Sequence, residues 1–184
     1  MIVSHPLNAL PEGWPTWTAF IVLIVLFLVS GRLTRQDALT TKESPWSVIS
    51  MELAAYEKGK AQKIIKAWSE PEDKLGFARR HLFWDSVFFI PVYSTLLALG
   101  CVMAARVLHH EGTRAYDMAL FVAWLPWLAG LLDLIENYAI WKMLDGFKGE
   151  GLPWLATAPA TLKFIIIIAT LAYSLVGLVA RLFK

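Results

Sequence analysis

Three polar residues stand at positions i, i+3 and i+4 of an otherwise apolar stretch, LLDLIENYAIWK, which spans residues 131–142. They are Asp133, Glu136 and Asn137, and in a helix this spacing places them on one face. Two neighbouring carboxyl groups can bind a cation, share a proton, or serve as an acid and a base. Which chemistry applies depends on whether this helix lies in water or in a membrane.

The composition favours a membrane. Hydrophobic residues make up 57% of the chain and charged residues 17%, whereas a soluble domain is typically about 45–50% apolar. The nine tryptophans agree with this, because Trp collects at membrane–water interfaces. A net charge of +2 gives no reason to expect nucleic acid as a partner. Cys101 is the sole cysteine, which excludes an internal disulfide, a CxxC redox pair and a thiolate zinc site.

Apolar runs of about 20 residues are long enough to cross a bilayer as helices. Four such segments are predicted as membrane-spanning helices: 14–31, 82–105, 118–141 and 160–182. We therefore expect an all-α polytopic membrane protein, a four-helix bundle that forms one membrane domain over residues 1–184. The flank before the first span has no Lys or Arg and no small-x-small site follows it, so we expect a retained helix there.

A further helix is predicted at about 45–68, where Ser44 can cap the first turn and Pro45 suits its first position. Its first half is nearly apolar, and its second half carries four lysines. This amphipathic pattern fits an interfacial helix on the inner leaflet. It fits equally a helix that packs on the inner ends of the bundle, and the pattern leaves both open.

The basic residues predict the orientation, since Lys and Arg accumulate in cytoplasmic loops. With both termini outside, the inner segments hold 13 basic residues and the outer segments hold 4. Ten of the 13 lie in residues 32–80. We therefore expect this segment in the cytoplasm and both termini outside the cell membrane.

Polar residues of three predicted spans, four of them ionisable, fall at one depth in the inner half of the membrane. They are Asp85, Asp133, Glu136, Asn137 and Lys163. Glu52 is a further carboxylate at this level, and the hydroxyl of Tyr93 could reach toward the group. A charge in the bilayer costs about 2.5–3.5 kcal/mol or more, so such groups face the bundle interior. Three carboxylates and one ammonium also require a bound proton, a bound cation or a second basic residue.

Several functions suit this pattern. Glu52, Asp85, Tyr93, Asp133, Glu136, Asn137 and Lys163 could line a pocket for an amphipathic or lipid-like molecule, which would be bound or also processed. His81, Asp85, Asp133 and Glu136 could instead bind a metal ion in the helical bundle. Proton translocation, a role as an accessory subunit of a larger membrane complex, and simple helix–helix adhesion are the other interpretations.

Four segments of the chain resemble segments of four-helix bacterial membrane proteins that are usually labelled uncharacterised. They are SVISMELAAYEKGKAQKIIKAW, DSVFFIPVYSTL, LLDLIENYAI and ATLKF, within residues 46–167. The resemblance implies a bacterial inner membrane and draws attention to the same polar residues. It implies no activity, cofactor or substrate.

Overall fold

The computed structural model describes residues 4–70, 74–147 and 149–183, and these residues form helices without any strand. Four of the helical stretches in these ranges are long and apolar enough to cross a membrane, which confirms the all-helical prediction. The candidate spans are Trp14–Leu39, Leu75–Leu108, Arg114–Leu144 and Leu152–Leu182. Lys148 and Lys184, both counted in the charge bias, lie outside the described residues.

The α-helices are α1 (Trp14–Leu33), α2 (Val48–Ala54), α3 (Lys60–Ser69), α4 (Leu75–Trp84), α5 (Ile90–Leu108), α6 (Arg114–Val122), α7 (Leu125–Leu144) and α8 (Leu152–Leu182). The second and fourth spans begin earlier than predicted, at residues 75 and 152 rather than 82 and 160. Hydropathy detects the apolar part of a helix, whereas backbone hydrogen bonds continue into the polar flanks.

The second span contains a π-helical turn, Asp85–Phe89, between α4 and α5. The amide of Ile90 donates to the carbonyl of Asp85, five residues earlier, instead of the usual four. Pro91 follows directly, and a proline ring lacks an N–H and crowds the carbonyl four residues before it. The wider turn is the local accommodation of this proline, and it places Asp85 at an irregular point of the helix.

The third span is divided into α6 and α7 at Ala123 and Trp124. Pro126 is the second residue of α7, a position that tolerates proline because the first-turn amides have no helical partner. The third span is therefore interrupted just before this proline, where α6 ends and α7 begins.

The single helix predicted at 45–68 is instead two short helices, α2 and α3. Gly59 separates them in a left-handed conformation, with φ of 75°, which interrupts a helix and suits glycine. Ser44 does not cap a helix; its hydroxyl donates to the carbonyl of Leu39. The apolar side of α3, formed by Ala61 and Ile64, is buried within protein, and the interfacial position remains a prediction.

The chain divides into two compact units. The first comprises the chain up to Val29, Pro91–Gly130 and the chain from Phe164; the second comprises Ser30–Ile90 and Leu131–Lys163. The single membrane domain remains a prediction.

In the first unit, α5 and α8 touch through their backbones. A Cβ atom added to Gly177 would lie 2.3 Å from the Cβ of Ala104, so no larger residue fits at this point. One turn away, a Cβ on Gly100 would lie 2.9 Å from the Ser174 hydroxyl. Small residues at such positions allow helices in membranes to pack closely.

The second unit is built around Trp68, which is fully buried. Its indole N–H lies 2.8 Å from the carbonyl of Leu39 and 3.0 Å from the hydroxyl of Ser44. The polar edge of the ring is thus satisfied while its apolar faces pack into a core with Met51, Leu82 and other residues of this unit. This core fixes α2, α3, α4 and α7, the elements that carry most of the predicted polar residues.

Candidate functional site

Lys163 is buried in the second unit, with three carboxyl groups around its ammonium. The Nζ atom lies 2.6 Å from Asp133 Oδ1 and 3.3 Å from Glu52 Oε2. It also lies 3.0 Å from Oε1 and 2.9 Å from Oε2 of Glu136. These four residues, Lys163, Glu52, Asp133 and Glu136, are referred to below as the Lys163 cluster.

The helix α7 supplies two of the carboxyl groups because of the spacing found in the sequence. Asp133 and Glu136 lie one turn apart, and both side chains turn into the protein, with exposed fractions of 6% and 0%. Glu52 comes from α2 and Lys163 from the part of α8 that belongs to this unit. The long apolar stem of Lys163 lets one ammonium reach carboxyl groups from two different helices.

A second polar contact lies on the same face of α7. The side-chain amide of Asn137 donates to Asp85 Oδ2 at 2.7 Å and to the hydroxyl of Ser86 at 3.1 Å. Both acceptors belong to the π-helical turn, and such turns are frequent at functional sites. Ser86 was not among the predicted residues; its position next to Asp85 was the signal available in the sequence.

The protonation of the Lys163 cluster follows from its charges. Three carboxyl groups surround one ammonium, and like-charge repulsion among buried carboxyl groups favours the protonated form of one of them. Burial raises the pKa of the Glu52 carboxyl, an effect that the nearby Lys163 opposes and Asp133 reinforces. With one carboxyl group protonated, two carboxylate charges still face a single ammonium.

The structure does not assemble the predicted metal site of His81, Asp85, Asp133 and Glu136. Among residues 4–70, 74–147 and 149–183, no three His, Cys, Asp or Glu side chains are grouped so as to hold a metal ion. The four predicted ligands have different partners instead: Asp133 and Glu136 contact the Lys163 ammonium, and Asp85 accepts a hydrogen bond from Asn137. His81 is buried and hydrogen-bonded to the backbone of Thr34.

Tyr93 was predicted to belong to the same group, but it lies on α5 in the first unit, where its side chain is buried. Its contribution to a pocket stays a prediction. The other predicted residues all lie in the second unit and form two contact groups, the Lys163 cluster and the pair Asn137–Asp85.

Comparisons with family models, curated proteins and solved structures found no match to this chain. The four segments that resemble bacterial four-helix membrane proteins therefore lend no function to the site, and its chemistry rests on the geometry.

Proposed function

We propose that this protein is an integral membrane protein whose Lys163 cluster binds the head group of an amphipathic, lipid-like molecule. The observation that supports this most is the excess of buried carboxyl groups, three around one ammonium. A buried negative charge is costly when it is left unpaired, so the cluster gains free energy from a further cation or proton.

This charge excess defines the ligand further. A head group with a positive charge, such as an amine, would complement the carboxylates, while an anionic head group would be repelled. Asn137, on the same face of α7 as Asp133 and Glu136, and its partner Asp85 in the π-helical turn are further polar groups that could bind the head group. The apolar tail would remain against the lipid-facing helices. Binding alone accounts for this chemistry, and no reaction is proposed.

The test uses the purified protein in a non-ionic detergent, titrated calorimetrically with a long-chain trimethylammonium compound and with an alcohol of equal chain length. We expect tighter binding of the cation than of the alcohol. Glu52→Gln should weaken cation binding roughly tenfold or more, since it removes a charged partner. The exposed Glu57 provides the matched control, and Glu57→Gln should bind like the unaltered protein.

Acidity provides a second readout. Burial raises the pKa of Glu52, so the carboxylate form that attracts a cation becomes less populated as the pH falls. Affinity for the trimethylammonium compound should therefore rise with pH, and this slope should be shallower in Glu52→Gln. Equal affinities for cation and alcohol, or equal affinities of the two Gln variants, would contradict the proposal.

A second candidate is a purely structural role, in which the Lys163 cluster fastens α2, α7 and α8 together. The observation that favours it is that Lys163 itself already contacts all three carboxyl groups. In that case the titrations would show no preference for a cation, while substitutions of the cluster would still lower stability. The two roles thus differ in binding rather than in unfolding.

The proposed setting is a bacterial inner membrane with both termini outside and residues 32–80 in the cytoplasm, as the basic residues predict. In this orientation the Lys163 cluster falls in the inner half of the membrane, the depth predicted for its residues. Other subunits of a membrane complex remain proposed partners alongside the bilayer and the lipid-like ligand. Mass spectrometry of lipids and proteins that co-purify would identify both kinds of partner in one experiment.

A further inference from the structure

The first unit contains an apolar cavity of about 130 Å³ between α1, α5 and α8. Phe20, Leu97 and Leu175 are among its walls, and apart from Ser174 and Arg181 every lining residue is nonpolar. Cavities of this size and character stay free of water and accept hydrocarbon. The cavity lies beside the close contact of α5 with α8, where small residues leave space that larger side chains would fill.

A second cavity of about 340 Å³ adjoins the first. The two have four lining residues in common: Trp17, Met103, Val107 and Arg181. The second cavity is more polar, since its other walls include Glu12, Thr16 and Arg106. An apolar slot therefore continues into a charged mouth, and we call the two together the Trp17–Arg181 crevice.

The two arginines of the mouth have different surroundings. Arg106 is bound to the N-terminal segment, where its guanidinium donates to the carbonyls of Asn8 and Leu10, each at 2.8 Å. Arg181 is exposed, and its guanidinium stacks over the ring of Trp17 at 5.0 Å from the centroid. This stacking orients the Arg181 charge at the entrance and leaves its N–H groups available.

We propose that the Trp17–Arg181 crevice binds one phospholipid with an anionic head group. A section of one acyl chain occupies the apolar slot, and Arg181 donates to the phosphate at the mouth. The charge supports this occupant, because two arginines against the single carboxylate of Glu12 leave the mouth positive. The proposal is independent of the function proposed above, since the crevice belongs to the first unit and attracts the opposite charge.

The test counts bound lipids by native mass spectrometry after incubation with phosphatidylglycerol or with phosphatidylcholine of the same chains. We expect the protein to retain one phosphatidylglycerol in preference to phosphatidylcholine. Arg181→Gln should lower phosphatidylglycerol retention roughly tenfold, because it removes the charged donor. Arg181→Lys should recover part of it, since an ammonium keeps the charge and loses the planar donor array.

Arg114 is an exposed arginine of the same unit and serves as the matched control. If Arg114→Gln reduces retention as much as Arg181→Gln does, the binding depends on net charge alone and the site is refuted. Undiminished retention by Arg181→Gln refutes it as well, and so does equal retention of the two lipids by the unaltered protein. Because Arg181 is exposed, its substitution leaves folding intact.

A steric variant tests the slot itself. Val107 lines both cavities, so Val107→Trp should fill their junction and abolish retention of phosphatidylglycerol. Val179→Trp adds the same ring at a position of α8 that is 51% exposed, and it should retain the lipid. Retention by a folded Val107→Trp variant would overturn the assignment of the acyl chain to this slot.

Discussion

Lys163→Met is the substitution that tests the account of the buried charges most directly. Methionine keeps much of the side-chain length but removes the ammonium that contacts three carboxyl groups at 2.6–3.3 Å. Removing one partner of a buried ion pair costs about 3–5 kcal/mol, because the remaining charge stays buried without compensation. We expect a loss of stability in this range, near its upper end, since two carboxylate charges lose their counterion together.

The assay is reversible unfolding in mixed micelles, with the fraction of denaturing detergent as the variable. The control is Lys66→Met, because the Lys66 side chain is 74% exposed and its carboxylate partner Glu70 is also at the surface. This control should change the free energy of unfolding by less than about 0.5 kcal/mol. Acidification should restore part of the stability of Lys163→Met, since protonated carboxyl groups need no ammonium.

A result below about 1 kcal/mol for Lys163→Met would refute the reasoning. It would mean that the carboxyl groups are already neutral, or that water reaches them and screens their charge. In either case the charge excess that supports cation binding would disappear.

Three other experiments give equally definite expectations. Gly177→Ala should lower the free energy of unfolding by about 3 kcal/mol or more, because the added Cβ meets the backbone of α5. Gly76→Ala is the control: its Cβ would enter open space, so it should be neutral or stabilise by up to about 1 kcal/mol. Burial raises the pKa of Glu52 in the folded protein. In pH titrations of unfolding, the stabilising contribution of Glu52 should therefore be complete below its ordinary pKa of 4.5 and should be lost as the pH rises through the folded-state pKa. Glu52→Gln should flatten this decline in stability. In intact cells, an impermeant thiol reagent should label His110→Cys but not Lys58→Cys, both at exposed positions, and the reverse labelling would invert the topology.

The helical spans were predictable because a bilayer requires about 20 apolar residues in a row, and that requirement is local. Where the helices differ from the predicted ones, the causes are also local, but hydropathy does not measure them. The π-helical turn before Pro91 depends on the amide of Ile90 donating to the carbonyl of Asp85, five residues earlier, instead of the one four residues earlier. The break at Gly59 depends on a left-handed backbone angle, which the sequence EKGK permits but does not impose.

For the candidate site, the sequence indicated which residues to consider but not which of them would be in contact. Spacing on α7 identified the buried face of Asp133, Glu136 and Asn137, because helical periodicity alone decides which residues share a side. The separation of Lys163 from Glu52, 111 positions along the chain, meant that only the packed fold could show them in contact. The contribution of Tyr93 stays a prediction, and Tyr93 belongs to the first unit.

Every carboxyl partner of Lys163 is synthesised before Lys163 itself. Asp133 precedes it by 30 positions and Glu136 by 27, an interval of about 1.5–6 s at ordinary ribosomal rates of roughly 5–20 residues per second. During that interval the nascent chain holds these carboxyl groups with no ammonium to offset them. Completion of α8 therefore supplies the ammonium on which these buried carboxyl groups depend, so the cluster can form only late in synthesis.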